Sequence, residues 1–265
     1  NLSTKSDGKL KARTADLGGD VHADGTLTIE TDEHLAAKNI TAGGNATLNA
    51  GAELSAKDVN VGGDLNAKAK NITSNNVTGK GNAVLTADKN VTLAGAFSAK
   101  NNAVLTAGET ATLGGKTDVG ETLTANVGRD FVTNGAVTTG KELIANVGND
   151  AVTNGIVTTN GALKWNVGND FTVNAAVLSH GTTTIDAQNV KLSADLMSDK
   201  NLTITAKNNI FTKEGTNLST KADGRLKART ADLSGDVRAD GTLTIETDEQ
   251  LEVRNITAGN AATLK

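Results

Sequence analysis

The chain has 265 residues with no Cys, no Pro and no Tyr, one Trp and four Phe against 29 Gly. An aromatic content of 2% leaves few large side chains for a wide globular core, and the missing Pro runs against a disordered linker of this composition. The formal charge of −4, from 26 basic and 30 acidic residues mixed along the chain, gives no electrostatic footprint for nucleic acid or anionic lipid.

No apolar run approaches the ~18 residues of a membrane span. The amino terminus lacks a signal-peptide pattern, which leaves a cytosolic protein or a piece of a larger exported one. From the amino terminus onward the dominant signal is period-two alternation. Leu27, Ile29 and Thr31 alternate with Thr26, Thr28 and Glu30; Ala103, Leu105 and Ala107 alternate with Val104 and Thr106. Runs of this kind, bounded by Gly, Asn and Asp, indicate half-buried strands and not helices. The pairs Gly18-Gly19, Gly43-Gly44 and Gly62-Gly63 fall at the intervening turns, where positive φ is expected.

Between residues 121 and 180 the units become nearly identical. Glu121-Thr-Leu-Thr-Ala-Asn-Val-Gly opens a block that returns from Lys141 and again from Gly161, a period of 20 residues. Each block offers about three short strands, such as Leu123 to Val127, Phe131 to Thr133 and Ala136 to Thr138. One inward position is followed through Ala12, Ile29, Leu48, Ala67, Leu85, Leu105, Ala125, Ala145, Trp165, Ile185, Ile204, Ala228, Ile245 and Leu264. The steps are mostly 18 to 20 residues, with one of 17 before Ile29 and one of 24 before Ala228, read as a bulging loop. The expectation is an all-β parallel β-helix, a solenoid of roughly thirteen coils continuous over residues 1–265. Coils at about 4.8 Å would make a rod on the order of 6 nm long. Its core would be a narrow column of Leu, Val, Ile and Ala, with Phe131 and Phe171 two coils apart at one repeat position, and each coil stabilised by its neighbours.

A longer repeat overlies the short one. Residues 1–48 return as 217–264 with 38 of 48 positions identical, an offset of 216 residues or about eleven coils. The chain is therefore expected to be one super-repeat plus the opening of the next, an excerpt from a longer rod.

Three columns recur at the coil period: Asn126, Asn146 and Asn166; Asn134, Asn154 and Asn174; and Asp130, Asp150 and Asp170. Stacked Asn amides can form a hydrogen-bonded ladder, and Asn tolerates left-handed turns. Stacked Asp residues repel. They are read as solvated turn residues, some offset by neighbours such as Arg129, because the Gly-Gly-x-Gly-x-Asp spacing of calcium-binding β-rolls is absent.

His22, His34 and His180 lie far apart, and two of them become Arg238 and Gln250 in the second copy. No nucleophile elbow, phosphate loop or dinucleotide fingerprint occurs. Catalytic, cofactor and metal residues are expected to be none. Trp165 matches inward, Leu-lined positions and is read as core. Asn39, Asn45, Asn71, Asn76, Asn90, Asn201 and Asn255 each open an Asn-x-Thr triplet, expected by chance in this composition and available for glycosylation only on exposed turns.

Units such as Gly25-Thr-Leu-Thr-Ile-Glu-Thr, Asn102-Ala-Val-Leu-Thr-Ala-Gly and Asn201-Leu-Thr-Ile-Thr-Ala resemble the roughly 20-residue repeats of filamentous haemagglutinins, along essentially the whole chain. Those are exoproteins of Gram-negative two-partner secretion, including adhesins and the sticks of contact-dependent growth-inhibition systems. The resemblance implies a right-handed three-faced β-helix, secretion through a cognate outer-membrane barrel transporter, and display as a cell-surface filament. Missing Cys agrees with export as an unfolded chain through an oxidising compartment.

The function expected is a structural shaft presenting a receptor-binding region, with adhesion as the parent function. Its partners would be neighbouring repeats of the same polypeptide, the transporter, and a host or target-cell receptor, with no nucleic acid and no membrane insertion of this segment. Two alternatives stand beside it. Lateral faces could bind glycans or proteins directly, which needs an outward aromatic or paired-charge patch, and none is found in the sequence. A β-helical carbohydrate-active enzyme would need carboxylates converging in a groove.

Overall fold

The computed structural model describes residues 1–265. Thirty strands run between Leu2 and Leu264 with no helix, so no helix is long and apolar enough to cross a membrane. The chain divides into two compact units, Asn1–Arg129 and Asp130–Lys265. Each is a parallel β-solenoid of stacked coils of about 20 residues, and the two together hold about thirteen turns.

In the first unit, one inward column is Leu10, Ile29, Leu48, Ala67, Leu85, Leu105 and Ala125, each in direct register with the next. Ile29, Leu48 and Leu105 are fully buried. Burying such a side chain stabilises by about 1.5–3 kcal/mol relative to leaving it exposed. The second unit has its own inward column, Ala145, Trp165, Ile185, Ile204, Leu226, Ile245 and Leu264, each in direct register with the next.

Register corrects the two irregular steps. Ile29 pairs with Leu10, and Ala12 pairs with Thr31. Likewise Ile204 pairs with Leu226, and Ala228 pairs with Thr247. Leu10 and Ala12 share the same inward parity, so alternation cannot choose between them; the backbone ladder does. The long coil therefore has 22 residues, from Leu202 to Gly224. Its extra length is not a bulging loop of the size expected but a turn two residues wider than its neighbour. Thr212 and Leu218 are separated by five residues where Leu192 and Leu196 are separated by three. That turn is closed by Thr216 N and Oγ1, which donate to Lys213 O at 3.1 and 2.7 Å.

Positive φ is confined to that turn, at Gly215 with φ 80. The glycine pairs at the other corners, and the corner Asn residues, have ordinary φ. Their glycines answer to close approach of stacked backbones instead: a Cβ on Gly62 would run into the Gly43 carbonyl of the previous coil. Three separate strands per coil hold in the regular blocks, as in Leu143–Val147, Ala151–Thr153 and Val157–Thr159. Elsewhere corners stay paired and faces fuse into long bent strands such as Leu65–Gly79 and Gly224–Ala239, the latter running through Gly235.

The core also contains hydroxyls. Thr139, Thr159, Ser179, Ser198 and Thr220 form a fully or nearly fully buried column in the second unit. Most of these oxygens are satisfied by corner carbonyls: Thr159 Oγ1 and Ser179 Oγ donate to Gly161 O at 2.9 and 3.1 Å, and Ser198 Oγ donates to Gly181 O at 3.0 Å. Thr139 Oγ1 has no partner.

Candidate functional site

The corners carry most of the polar side-chain chemistry. Asn154 Nδ2 donates to Asn134 Oδ1 at 2.9 Å, Asn174 Nδ2 to Asn154 Oδ1 at 2.8 Å, and Asn166 Nδ2 to Asn146 Oδ1 at 2.7 Å. The Asp column is served in the same way. Asp130 Oδ1 accepts from Asn149 Nδ2 at 2.7 Å, Asp150 Oδ1 from Asn169 Nδ2 at 2.8 Å, and Asp170 Oδ1 from Asn189 Nδ2 at 2.7 Å. Neutral donors between the carboxylates take the place of a cation. A second pattern ties each side chain to the backbone of the next coil: Asp7 Oδ1 accepts Thr26 N at 2.7 Å, and its copy Asp223 accepts Thr242 N at 2.7 Å. That backbone N–H holds the Asp7 carboxyl below its ordinary value.

The Asn-x-Thr triplets belong to these ladders. Asn39, Asn76, Asn90 and Asn255 each donate the amide nitrogen to the Asp or Asn one coil before. The triplet is a corner amide followed by a strand Thr, which is why it recurs.

The histidines stay apart from one another. His22 Nε2 lies 2.7 Å from Asp24 Oδ1, and in the second copy Arg238 Nε donates to Asp240 Oδ1 at 2.9 Å, so the corner pair persists while its nitrogen-bearing partner changes. His180 Nδ1 lies 2.7 Å from Asp199 Oδ2, whose other oxygen is 2.7 Å from Lys221 Nζ. His180 and Lys221 together hold the Asp199 carboxyl below its ordinary value. His34 is exposed, in register with Glu53. No group of three or more His, Cys, Asp or Glu is arranged to hold a metal ion.

Trp165 is fully buried, as its alternation predicts. Its ring stacks on Phe131 and Phe171 with centroids 5.7 and 4.8 Å away, and Ala151 separates the two Phe rungs. The indole Nε1 has no hydrogen-bond partner.

Grooves mark the outside, three of them at strand rows flanked by corner Asp and Asn residues. On the third face of the first unit, about 470 Å³ is lined by Asp20, His22, Asn39 and Thr41 among others. The residues 216 further on, Asp236, Arg238, Asn255 and Thr257, line the corresponding groove of about 720 Å³ in the second unit. Arg254 on its rim pairs with Glu214 of the widened turn. The third groove, about 390 Å³ on the second face, is lined by Asp170, Thr172, Asn189, Lys191, Asn209 and Phe211. Phe97, Phe131 and Phe171 are buried, whereas Phe211 stands between inward Ile210 and Thr212 and faces out, partly exposed. Phe211 is a single outward aromatic and not a patch, and its direction follows the alternation at Ile210, Phe211 and Thr212.

No protein-family model, no curated protein and no solved structure matches the chain.

Proposed function

We propose that this chain is a segment of the shaft of a secreted, surface-displayed bacterial filament of the haemagglutinin type, a spacer that carries a receptor-binding region away from the cell. The observation that carries the reading is the coil-to-coil register within each unit. Inward columns, corner ladders and backbone ladders all repeat at one coil, so length can be added without redesigning an interior. The 216-residue duplication extends the same logic: the second copy keeps the Asp7 corner bond as Asp223 and the His22 corner pair as Arg238.

On this reading the segment is not an enzyme. Its partners are adjacent repeats of its own polypeptide, an outer-membrane barrel transporter and, through the parent protein, a receptor. The test is surface labelling of intact cells with antibody raised against residues 1–265. Labelling that disappears when the transporter gene is deleted is the expected result. Antigen confined to the cytoplasm, with or without the transporter, would overturn the proposal.

A further inference from the structure

We infer that Asn160 is a spontaneous modification site, at which the side-chain amide is lost through a succinimide and the residue becomes aspartate or isoaspartate. This goes beyond the spacer reading, since it needs neither secretion nor a receptor.

The chemistry starts from a dipeptide. Asn-Gly occurs three times, at Asn134-Gly135, Asn154-Gly155 and Asn160-Gly161. In such a pair the glycine nitrogen can reach the Asn side-chain carbon, because no Cβ on the second residue obstructs the approach. The fold protects these pairs unequally. Asn154 spends both halves of its amide in the corner ladder, with Nδ2 donating to Asn134 Oδ1 at 2.9 Å and Oδ1 accepting from Asn174 Nδ2 at 2.8 Å. The nitrogen that would attack it, Gly155 N, belongs to a buried residue and donates to Thr133 O at 3.2 Å. Asn134 is tied through its Oδ1 into the same ladder.

Asn160 stands at a different corner, between Val157–Thr159 and Leu163–Val167. Its side chain is exposed and makes no hydrogen bond. Along this corner the backbone N–H groups are mostly spent on the preceding coil: Asn101 N donates to Gly81 O, Glu121 N to Asn101 O and Lys200 N to Gly181 O. Gly161 N makes no such bond. Packing nevertheless keeps a glycine here, because a Cβ on residue 161 would stand 2.6 Å from Lys141 O. The reactive pair is therefore built into the stack with its attacking nitrogen and its amide both unspent.

In the reaction Gly161 N gives up its proton to hydroxide and bonds to Asn160 Cγ. The Cγ–Nδ2 bond breaks, and Nδ2 takes up a proton from water and leaves as ammonia. Water then opens the imide. Cleavage of the new Cγ–N bond gives aspartate; cleavage of the backbone C–N bond gives isoaspartate, whose main chain runs through Cγ and is longer by a carbon. Either product places a carboxylate one rung before His180, since Asn160 and His180 follow the paired residues Thr159 and Ser179. It extends a polar column in which His180, Asp199 and Lys221 are already joined by contacts of 2.7 Å. Isoaspartate also lengthens the backbone where Gly161 packs closely against Lys141 and Gly181.

The test is incubation of the whole 265-residue chain at mildly alkaline pH, folded and in concentrated urea. Peptide mapping by mass spectrometry follows amide loss at each Asn-Gly pair, and protein-isoaspartate methyltransferase with labelled S-adenosylmethionine reports isoaspartate. In the folded chain Asn160 should convert at least about tenfold faster than Asn154, whose hydrogen bonds must open before it reacts. In urea the three pairs should converge. Asn160→Gln, which would have to close a larger ring, should lose most of the methyl label at an unchanged melting temperature. Asn174→Ala, which frees Asn154 Oδ1, should speed conversion at Asn154 and leave Asn160 as it was. Three results would overturn the proposal: equal rates at Asn160 and Asn154 in the folded chain, the same preference for Asn160 in urea, or full methyl labelling of a folded Asn160→Gln variant.

Discussion

Replacing Trp165 by Ala tests how the second unit is held together. The ring is fully buried and stacked on Phe131 and Phe171. Truncation of a buried aromatic to Ala costs about 3–5 kcal/mol, a figure that includes the cavity left behind. Against this, the indole N–H has no partner, and removing an unsatisfied buried donor returns about 1–3 kcal/mol. The net loss is about 2 kcal/mol. Trp165→Phe removes the same N–H but keeps most of the ring, so its two terms nearly cancel. Because each coil is stabilised by its neighbours, the damage should remain local.

Native-state hydrogen exchange resolved by mass spectrometry reads this out. At about 1.4 kcal/mol per decade, Trp165→Ala should accelerate exchange roughly 30-fold in Leu143–Val147, Leu163–Val167 and Phe171–Val173. It should change Leu202–Thr212 by less than about tenfold. Trp165→Phe should stay within about tenfold throughout. Uniform acceleration across residues 130–265, or a Phe variant as damaged as the Ala variant, would refute the reasoning.

Other predictions follow from single contacts. Asn154→Leu removes both of its ladder bonds and should cost about 1 kcal/mol, seen as faster exchange in Ala151–Thr153 and its neighbours. Gly62→Ala forces apart backbones in contact and should cost about 1–3 kcal/mol in a denaturant titration. Gly18→Ala, with open space around its Cβ, should stay within about 0.5 kcal/mol. Asp199 is held below its ordinary value by His180 and Lys221. The unfolded chain therefore takes up that proton first, and the stabilisation is present above the ordinary carboxylate range and lost as pH falls through the lowered folded value. Asp199→Asn should flatten the fall in melting temperature below about pH 4; an unchanged acid limb would contradict the pairing.

Much of the architecture is legible in the residues because a solenoid repeats its instructions. Inward parity from Ile29 to Ile204, the burial of Trp165 and the Asn ladders at Asn134, Asn154 and Asn174 all follow from alternation and period. What escapes is whatever depends on the third dimension of the stack. The choice of Leu10 over Ala12 is made by backbone register, since both residues have the right parity. The corner glycines suggest positive φ when taken singly, but the structure shows that their constraint comes from the coil beneath. The Asp column looks repulsive until the interposed donors Asn149, Asn169 and Asn189 are placed. Phe211 faces out because Ile210 and Thr212 on either side of it point inward.

The spacer claim is tested most directly by deleting residues 49–264 in frame from the gene of the parent protein. Leu48 and Leu264 occupy the same repeat position, so the deletion joins Leu48 to Lys265 in phase. Electron microscopy of a tag at the far end of the displayed protein then measures its reach from the cell surface. The account predicts continued display with the tag closer by about 5 nm, eleven coils at about 4.8 Å each. An unchanged reach, or loss of display despite the in-phase junction, would contradict it.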